Sequence, residues 1–213
     1  MDKHSRQAPR IVENIERADS MIQDLLDAKR IRAGQKLPLE VSFCDLISLA
    51  FQVTEQLSAL YGDRFKVRGA QAVEGFWSCD ALRRALKHLY QNAVKYGDPS
   101  QAITIQIQRV AENVLIEVHN LGDPIPEKEV PLIFQPFHQI KNNLVHPKKG
   151  WALGLTLVRG VAEAHGGSVS VRSDRAHGTT FKMVLPMVNQ CSALGNDVGS
   201  LGCASLRIVE RST

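Results

Sequence analysis

The sequence predicts an α+β fold: a two-layer α/β sandwich, a mixed sheet with helices on one face, preceded by an N-terminal coiled-coil-like helix. Three observations point there. Apolar residues recur at helical spacing in four separate stretches. Between them, short runs alternate apolar and polar residues, the mark of half-buried strands. At the start, Ile11, Ile15, Ala18, Ile22 and Leu25 follow a 4-3-4-3 spacing, a heptad seam that asks for a partner helix.

Composition narrows the class. The chain has 213 residues, enough for one domain of ordinary size plus an extension. Its hydrophobic fraction of 44% and charged fraction of 23% are those of a globular domain. A net charge of +4 is too small to argue for nucleic acid. Cys44, Cys79, Cys191 and Cys203 are scattered, without Cys-x-x-Cys or zinc spacing, so a reducing cytoplasm is the expectation. No apolar run reaches the length of a membrane span, and the polar start is no signal peptide.

The elements follow in order. Residues 10–32 carry the heptad seam and end at Gly34. Leu37, Leu39, Val41 and Phe43 alternate as a strand. Leu46, Leu49, Ala50, Val53, Leu57 and Leu60 make an amphipathic helix. Residues 65–67 and 73–77 read as two short strands. From Leu82 to Gly97, Leu82, Ala85, Leu86, Leu89 and Ala93 form an apolar face, with Ser78 or Asp80 to open the helix. Ile103, Ile105 and Ile107, then Val114, Ile116 and Val118, alternate about a turn at 111–113, a hairpin. Residues 122–150 carry five prolines and little periodicity, and such a stretch within a compact domain is usually functional. A helix returns from Leu153 to His165, closed by Gly166-Gly167. Strands at 168–172 and 179–185 complete the sheet, and residues after Pro186 read as a loose tail.

Four stretches carry chemistry. On the helix ending at Gly97, His88, Asn92 and Lys95 form a polar stripe suited to a phosphate and its metal, although a solvated surface would look the same. In His119-Asn120-Leu121-Gly122-Asp123-Pro124-Ile125-Pro126, Asn120 can accept from an amino group and Gly122 lets a flat ring approach the backbone. Ile133-Phe134-Gln135-Pro136-Phe137 opens the long loop. Gly150-Trp151-Ala152-Leu153-Gly154-Leu155 leads into a helix whose free N–H groups suit phosphate. Taken singly, these are a turn, core aromatics and a helix cap.

In this order and spacing, they resemble the ATP-binding domain of sensor histidine kinases, within the wider family of gyrase, Hsp90 and MutL ATPases. QNAVKYG is similar to its N box, NLGDPIP to its first glycine box, IFQPF to its F box and GWALGL to its second glycine box. The resemblance implies three segments: a partial dimerisation and phosphotransfer helix at 1–34, the catalytic domain at 35–186 and a flexible tail at 187–213. It implies ATP and Mg2+ as cofactors, with Asn92 as metal ligand and Lys95 on a phosphate. Tyr96, Asn120, Gly122, Ile125, Phe137 and Thr179 would line the nucleotide, and Gly150, Leu153, Gly154 and Leu155 its phosphates. Residues 138–149 would be the lid.

The implied activity is ATP-dependent phosphorylation of a histidine on a dimerisation hairpin, with a catalytically weak regulatory module as the alternative. The implied partners are that hairpin, a response-regulator receiver domain and a second copy of the chain; the expected location is the cytoplasm, as a domain of a membrane-bound sensor or on its own. His4 and Pro9 reproduce the family's acceptor spacing, but 26 positions from His4 to Arg30 are too few for two helices and a turn. The acceptor is therefore expected outside this sequence. Departures from the family pattern are Asn120 for Asp, Pro124 for glycine, His88 for Asn and Trp151-Ala152 for small residues and glycine. Ala152 is expected to keep ordinary backbone angles and so to wrap phosphates poorly.

Overall fold

The computed structural model describes residues 7–69, 71–138 and 152–187, with the backbone alone for 7–17. His4, residues 139–149, Gly150, Trp151 and the tail beyond Met187 lie outside the described residues.

Helix α1 (Gln7–Arg32) is continuous and begins earlier than its apolar seam. Pro9 sits in its first turn, where no intrahelical N–H is needed. The seam faces outward: Met21, Ile22, Leu25 and Leu26 are exposed, while Asp24, Asp27 and Ala28 are buried against the rest of the molecule.

The strand expected from Leu37 to Phe43 is displaced. Strand β1 is Ser42–Asp45 and buries Cys44, whereas Val41 and Phe43 are exposed. Pro38 lacks the N–H a ladder requires, and Leu37 is spent on packing beside Gly160 and Ile31 of the helical layer. β1 pairs antiparallel with β3 (Glu74–Trp77), apart from the main sheet. That ribbon brings Cys44 and Cys79 side by side, Cα–Cα 5.9 Å. Their separation of 35 residues hides the contact from any spacing rule.

Helix α2 (Leu46–Tyr61) is capped by Asp45, whose carboxylate accepts from the N–H groups of Ile47 and Ser48 and from Val73 of the adjoining loop. Partial burial raises that carboxyl's pKa, but these bonds and the Ser48 hydroxyl outweigh it and hold it below the usual range. The main sheet runs β2-β4-β5-β7-β6. β2 (Phe65–Gly69) lies parallel to β4 (Ile103–Val110), and β5 (Asn113–Asn120), β7 (Gly178–Pro186) and β6 (Ser168–Asp174) follow antiparallel. The sheet is mixed, as the order of elements implied.

Register explains the two layers. Ile105, Val118 and Phe181 align across β4, β5 and β7, as do Ile107, Ile116 and Met183, and all six are buried. The alternate positions, Gln106, Glu117 and Lys182, are polar and face away. Onto the apolar face pack α2, α3 (Cys79–Tyr96) and α4 (Gly154–Ala164). Trp77 is buried with its indole N–H donating to Pro186 O at 3.0 Å. Tyr90 is equally buried, yet its hydroxyl has no hydrogen-bond partner among the described residues.

The segment after β5 is more ordered than its composition suggested. A 3-10 turn spans Glu127–Glu129, Ile133 is buried, and Phe134 packs edge-on against Phe181. Thr156 of α4 donates to Phe134 O at 3.1 Å, so this part of the loop is anchored.

Candidate functional site

The site is built where the C-terminal end of α3 meets the end of β5. Ser78 is the N-cap position of α3, as expected, but its side chain makes no cap bond. Instead its backbone N–H donates to His165 Nε2 at 3.0 Å, while His165 Nδ1 donates to Val161 O at 2.8 Å. Accepting from Ser78 at Nε2 requires the neutral imidazole, and burial pushes its pKa down, against the raising effect of the Val161 bond. A helix-end histidine of α4 thus fixes the start of α3.

At the other end, His88, Asn92 and Lys95 lie half-buried and Tyr96 is exposed, with Lys95 Nζ 5.0 Å from the centre of the Tyr96 ring. Gly97 closes the helix by donating to Ala93 O at 2.8 Å, then bridges to Gly122, and Asp98 N–H donates to Leu121 O at 2.7 Å. A Cβ on Gly122 would sit 2.6 Å from Tyr96 O. These glycines permit the close approach that joins the N-box-like helix end to the Asn120–Gly122 segment.

Asn120 ends β5 and is 4% exposed, with its Nδ2 donating to Leu121 O at 3.3 Å. Thr179 lies opposite it in the ladder, and Ser173 Oγ stands 2.7 Å from Thr179 Oγ1. Ser173 also accepts from Ile125 N–H at 2.9 Å, so one hydroxyl ties Ile125 to Thr179. The sequence reading missed Ser173. Its only signal was a place on the strand paired with Thr179.

Leu153 is buried, and Gly154 opens α4 with no side chain capping the first turn. The first-turn N–H groups of α4 are therefore of the kind that binds an anion. Ala152 contradicts its expectation: it has φ +53°, in the left-handed region where glycine is favoured. A residue with a Cβ holds that angle at a cost of about 1 kcal/mol. Phe137, also at positive φ, is exposed at the edge of the described loop, while neighbouring His138 Nε2 meets Glu129 Oε2 at 2.6 Å. Lys95 and Tyr96 lead into the α3–β5 junction beside Gly122, Asn120 pairs with Thr179, Ser173 ties Ile125 to Thr179, and Asn92 lies one turn back from Tyr96 on α3. Leu153, Gly154 and Leu155 join them through His88, against whose ring Gly154 packs so closely that a Cβ would lie 2.8 Å from Nδ1.

Residues 78–189 match the family described as histidine kinase-, DNA gyrase B- and HSP90-like ATPases. That is over half the sequence. The chain belongs to this ATPase family. The match opens at the N-cap of α3 and passes the end of β7, so it contains the whole α3–β5–α4 site. Among relatives, the Escherichia coli sensor histidine kinase CusS is 30% identical over 184 residues, which cover 82% of this chain and 36% of CusS. The Pseudomonas aeruginosa alginate biosynthesis sensor protein KinB is 29% identical over 186 residues, 82% of this chain and 29% of KinB. The chain thus spans about a third of the length of these relatives. The solved catalytic domain of histidine kinase ThkA superposes with a TM-score of 0.60 at 25% identity, over 70% of this chain and 99% of that domain. The two-layer sandwich expected from the sequence is the ATPase fold of sensor histidine kinases.

Proposed function

We propose that this chain is the kinase core of a two-component sensor histidine kinase, which binds Mg-ATP and passes its γ-phosphoryl group to a histidine on a dimerisation hairpin. The observation that carries the reading is the Gly97–Gly122 bridge, because it sets the end of the helix bearing Asn92 and Lys95 beside the strand end where Asn120 pairs with Thr179. In this reading Asn120 accepts from the adenine amino group, with Gly122, Ile125, Thr179, Tyr96 and Phe137 around the base and sugar. Lys95 meets a phosphate. The first-turn N–H groups from Leu153 to Leu155, together with Gly150, hold the others.

Asn92 is the side chain that would ligate magnesium. Among the described residues no group of three His, Cys, Asp or Glu side chains could hold a metal, which suits an ion carried mainly by phosphates and water. When bound, magnesium neutralises charge on the phosphates. Phosphoryl transfer depends on positioning and electrostatics, so this domain needs no nucleophile of its own. The P–O bond to ADP breaks as a P–N bond to the acceptor imidazole forms.

The same reading divides the chain into a dimerisation helix segment at 1–34, a catalytic domain at 35–186 and a tail at 187–213. It gives the chain a second copy, a histidine-bearing hairpin and a response-regulator receiver domain as partners, in the cytoplasm. Support for the helix segment comes from the outward seam of α1. A second reading, a weak nucleotide-binding regulatory module, is favoured by the strained Ala152 and by the uncharged Asn120, which forgoes the charge-assisted bond of a carboxylate.

Calorimetric titration with Mg-ATP tests the site. Asn92→Ala should weaken binding at least about tenfold, a loss near 1.4 kcal/mol. Unchanged affinity would remove Asn92 from the site. Labelled ATP with a separate histidine-bearing hairpin divides the readings: acid-labile label on the hairpin marks the kinase, and binding without transfer marks the regulatory module.

A further inference from the structure

Arg84, His88 and Asn92 succeed one another at four-residue steps, so they share one ridge of α3. The nucleotide reading uses Asn92 and leaves the other two unexplained. Both are held by α1. His88 Nε2 lies 3.0 Å from Asp24 Oδ2, and Arg84 Nη2 lies 2.7 Å from Asp27 Oδ2. Asp24 and Asp27 are buried carboxylates on a helix whose opposite, apolar face is exposed. Charges withdrawn from water need partners, and here α3 supplies them. Meanwhile Gly154, at the start of α4, rests directly on the His88 ring. His88 therefore touches α1 on one side and the phosphate-type helix end on the other.

We propose that Asp24 and Asp27 with Arg84 and His88 form a latch through which docking of α1 sets the phosphate end of the nucleotide site, with His88 as the positioning residue. This rests on the proposed nucleotide site for its coupling to ATP, though not for its effect on α4. The contact between Asp24 and Arg84 is loose: they approach at 3.7 Å, and neither Asp24 Oδ1 nor Arg84 Nη1 makes a hydrogen bond among the described residues. Such a latch is incompletely satisfied and can release. Coupling of this kind is reciprocal, so bound nucleotide must favour docked α1 by the same factor that docked α1 favours nucleotide.

Two measurements on the full chain test it. Without nucleotide, amide hydrogen exchange at residues 154–158 should accelerate about fivefold or more in Asp24→Asn, a factor typical of coupled sites. Unchanged exchange there overturns the latch. With nucleotide, Asp24→Asn and His88→Gln should each weaken Mg-ATP about fivefold, and the double variant no further. Undiminished affinity, or losses that multiply in the double variant, overturn the coupling. Lys29→Ala, exposed on α1, should leave both readouts unchanged. Should a lone unpaired charge unfold the protein, Asp27→Asn with Arg84→Gln neutralises both partners and takes the same readouts. A wild-type chain that fails to bind Mg-ATP removes the nucleotide reading and the coupling together, and the exchange measurement then judges the latch alone.

Discussion

Two residues stand in unfavourable local settings. Tyr90 buries a hydroxyl without a partner among the described residues, and burial alone drives its pKa far above the ordinary phenol value. An unsatisfied buried hydroxyl costs about 1–3 kcal/mol. Tyr90→Phe keeps the ring, including its contact with Phe65 at 6.0 Å, and removes the penalty. It should stabilise the fold by about 1 kcal/mol in urea denaturation; a loss of stability would mean that the hydroxyl has a partner in solution. Ala152 holds φ +53° against its own Cβ. Ala152→Gly should raise the unfolding free energy by up to about 1 kcal/mol, and Ala152→Val should lower it. If neither variant shifts the urea midpoint, the left-handed entry into α4 is not populated. The sequence marked Ala152 as a departure from the family but read its consequence backwards. The sequence reveals which residue is unusual, while its backbone angle is read only from the fold.

At the scale of elements, legibility followed contiguity. The strands of the main sheet were visible because each alternates over its own length, and the Asn92–Lys95 and Asn120–Gly122 groups because each sits within a few residues. β1 was misplaced because its partner is β3, in a ribbon whose pairing no local pattern encodes. The α1 carboxylates escaped notice for the same reason: Asp24 and His88 are 64 positions apart. His165 is a further case, since its bond to Ser78 spans 87 positions. It also makes a prediction. The folded pKa of His165 is depressed below the usual 6.5. The unfolded chain therefore takes up the proton first as pH falls, so the stabilisation is complete above about 6.5 and is lost below it, toward the folded pKa. Between pH 7 and 5, stability should fall more steeply in the wild type than in His165→Gln, by up to about 1.4 kcal/mol per pH unit. Parallel curves from urea titrations would show that the pairing of α3 with α4 does not depend on this imidazole.

For the whole molecule, the decisive asymmetry is in α1. One face is tied to α3 and α4 by buried carboxylates and by Ile31, whose Cδ1 would stand 2.3 Å from a Cβ on Gly160. The other presents Met21, Ile22, Leu25 and Leu26 to solvent. Apolar side chains at heptad spacing on an exposed helix face gain most by burial against a like face, at about 1.5–3 kcal/mol for each large residue. The ATPase body would then be carried rigidly on one side of a helix whose free side joins two copies. Sedimentation velocity should find a concentration-dependent dimer. Leu25→Lys, applied to both copies at once, should weaken it about 100-fold or more. Mg-ATP affinity should be untouched, because Leu25 faces away from the carboxylates that meet α3. A variant that dimerises as the wild type does would assign that face to another partner, and a variant that loses nucleotide as well would show that the two faces of α1 do not act independently.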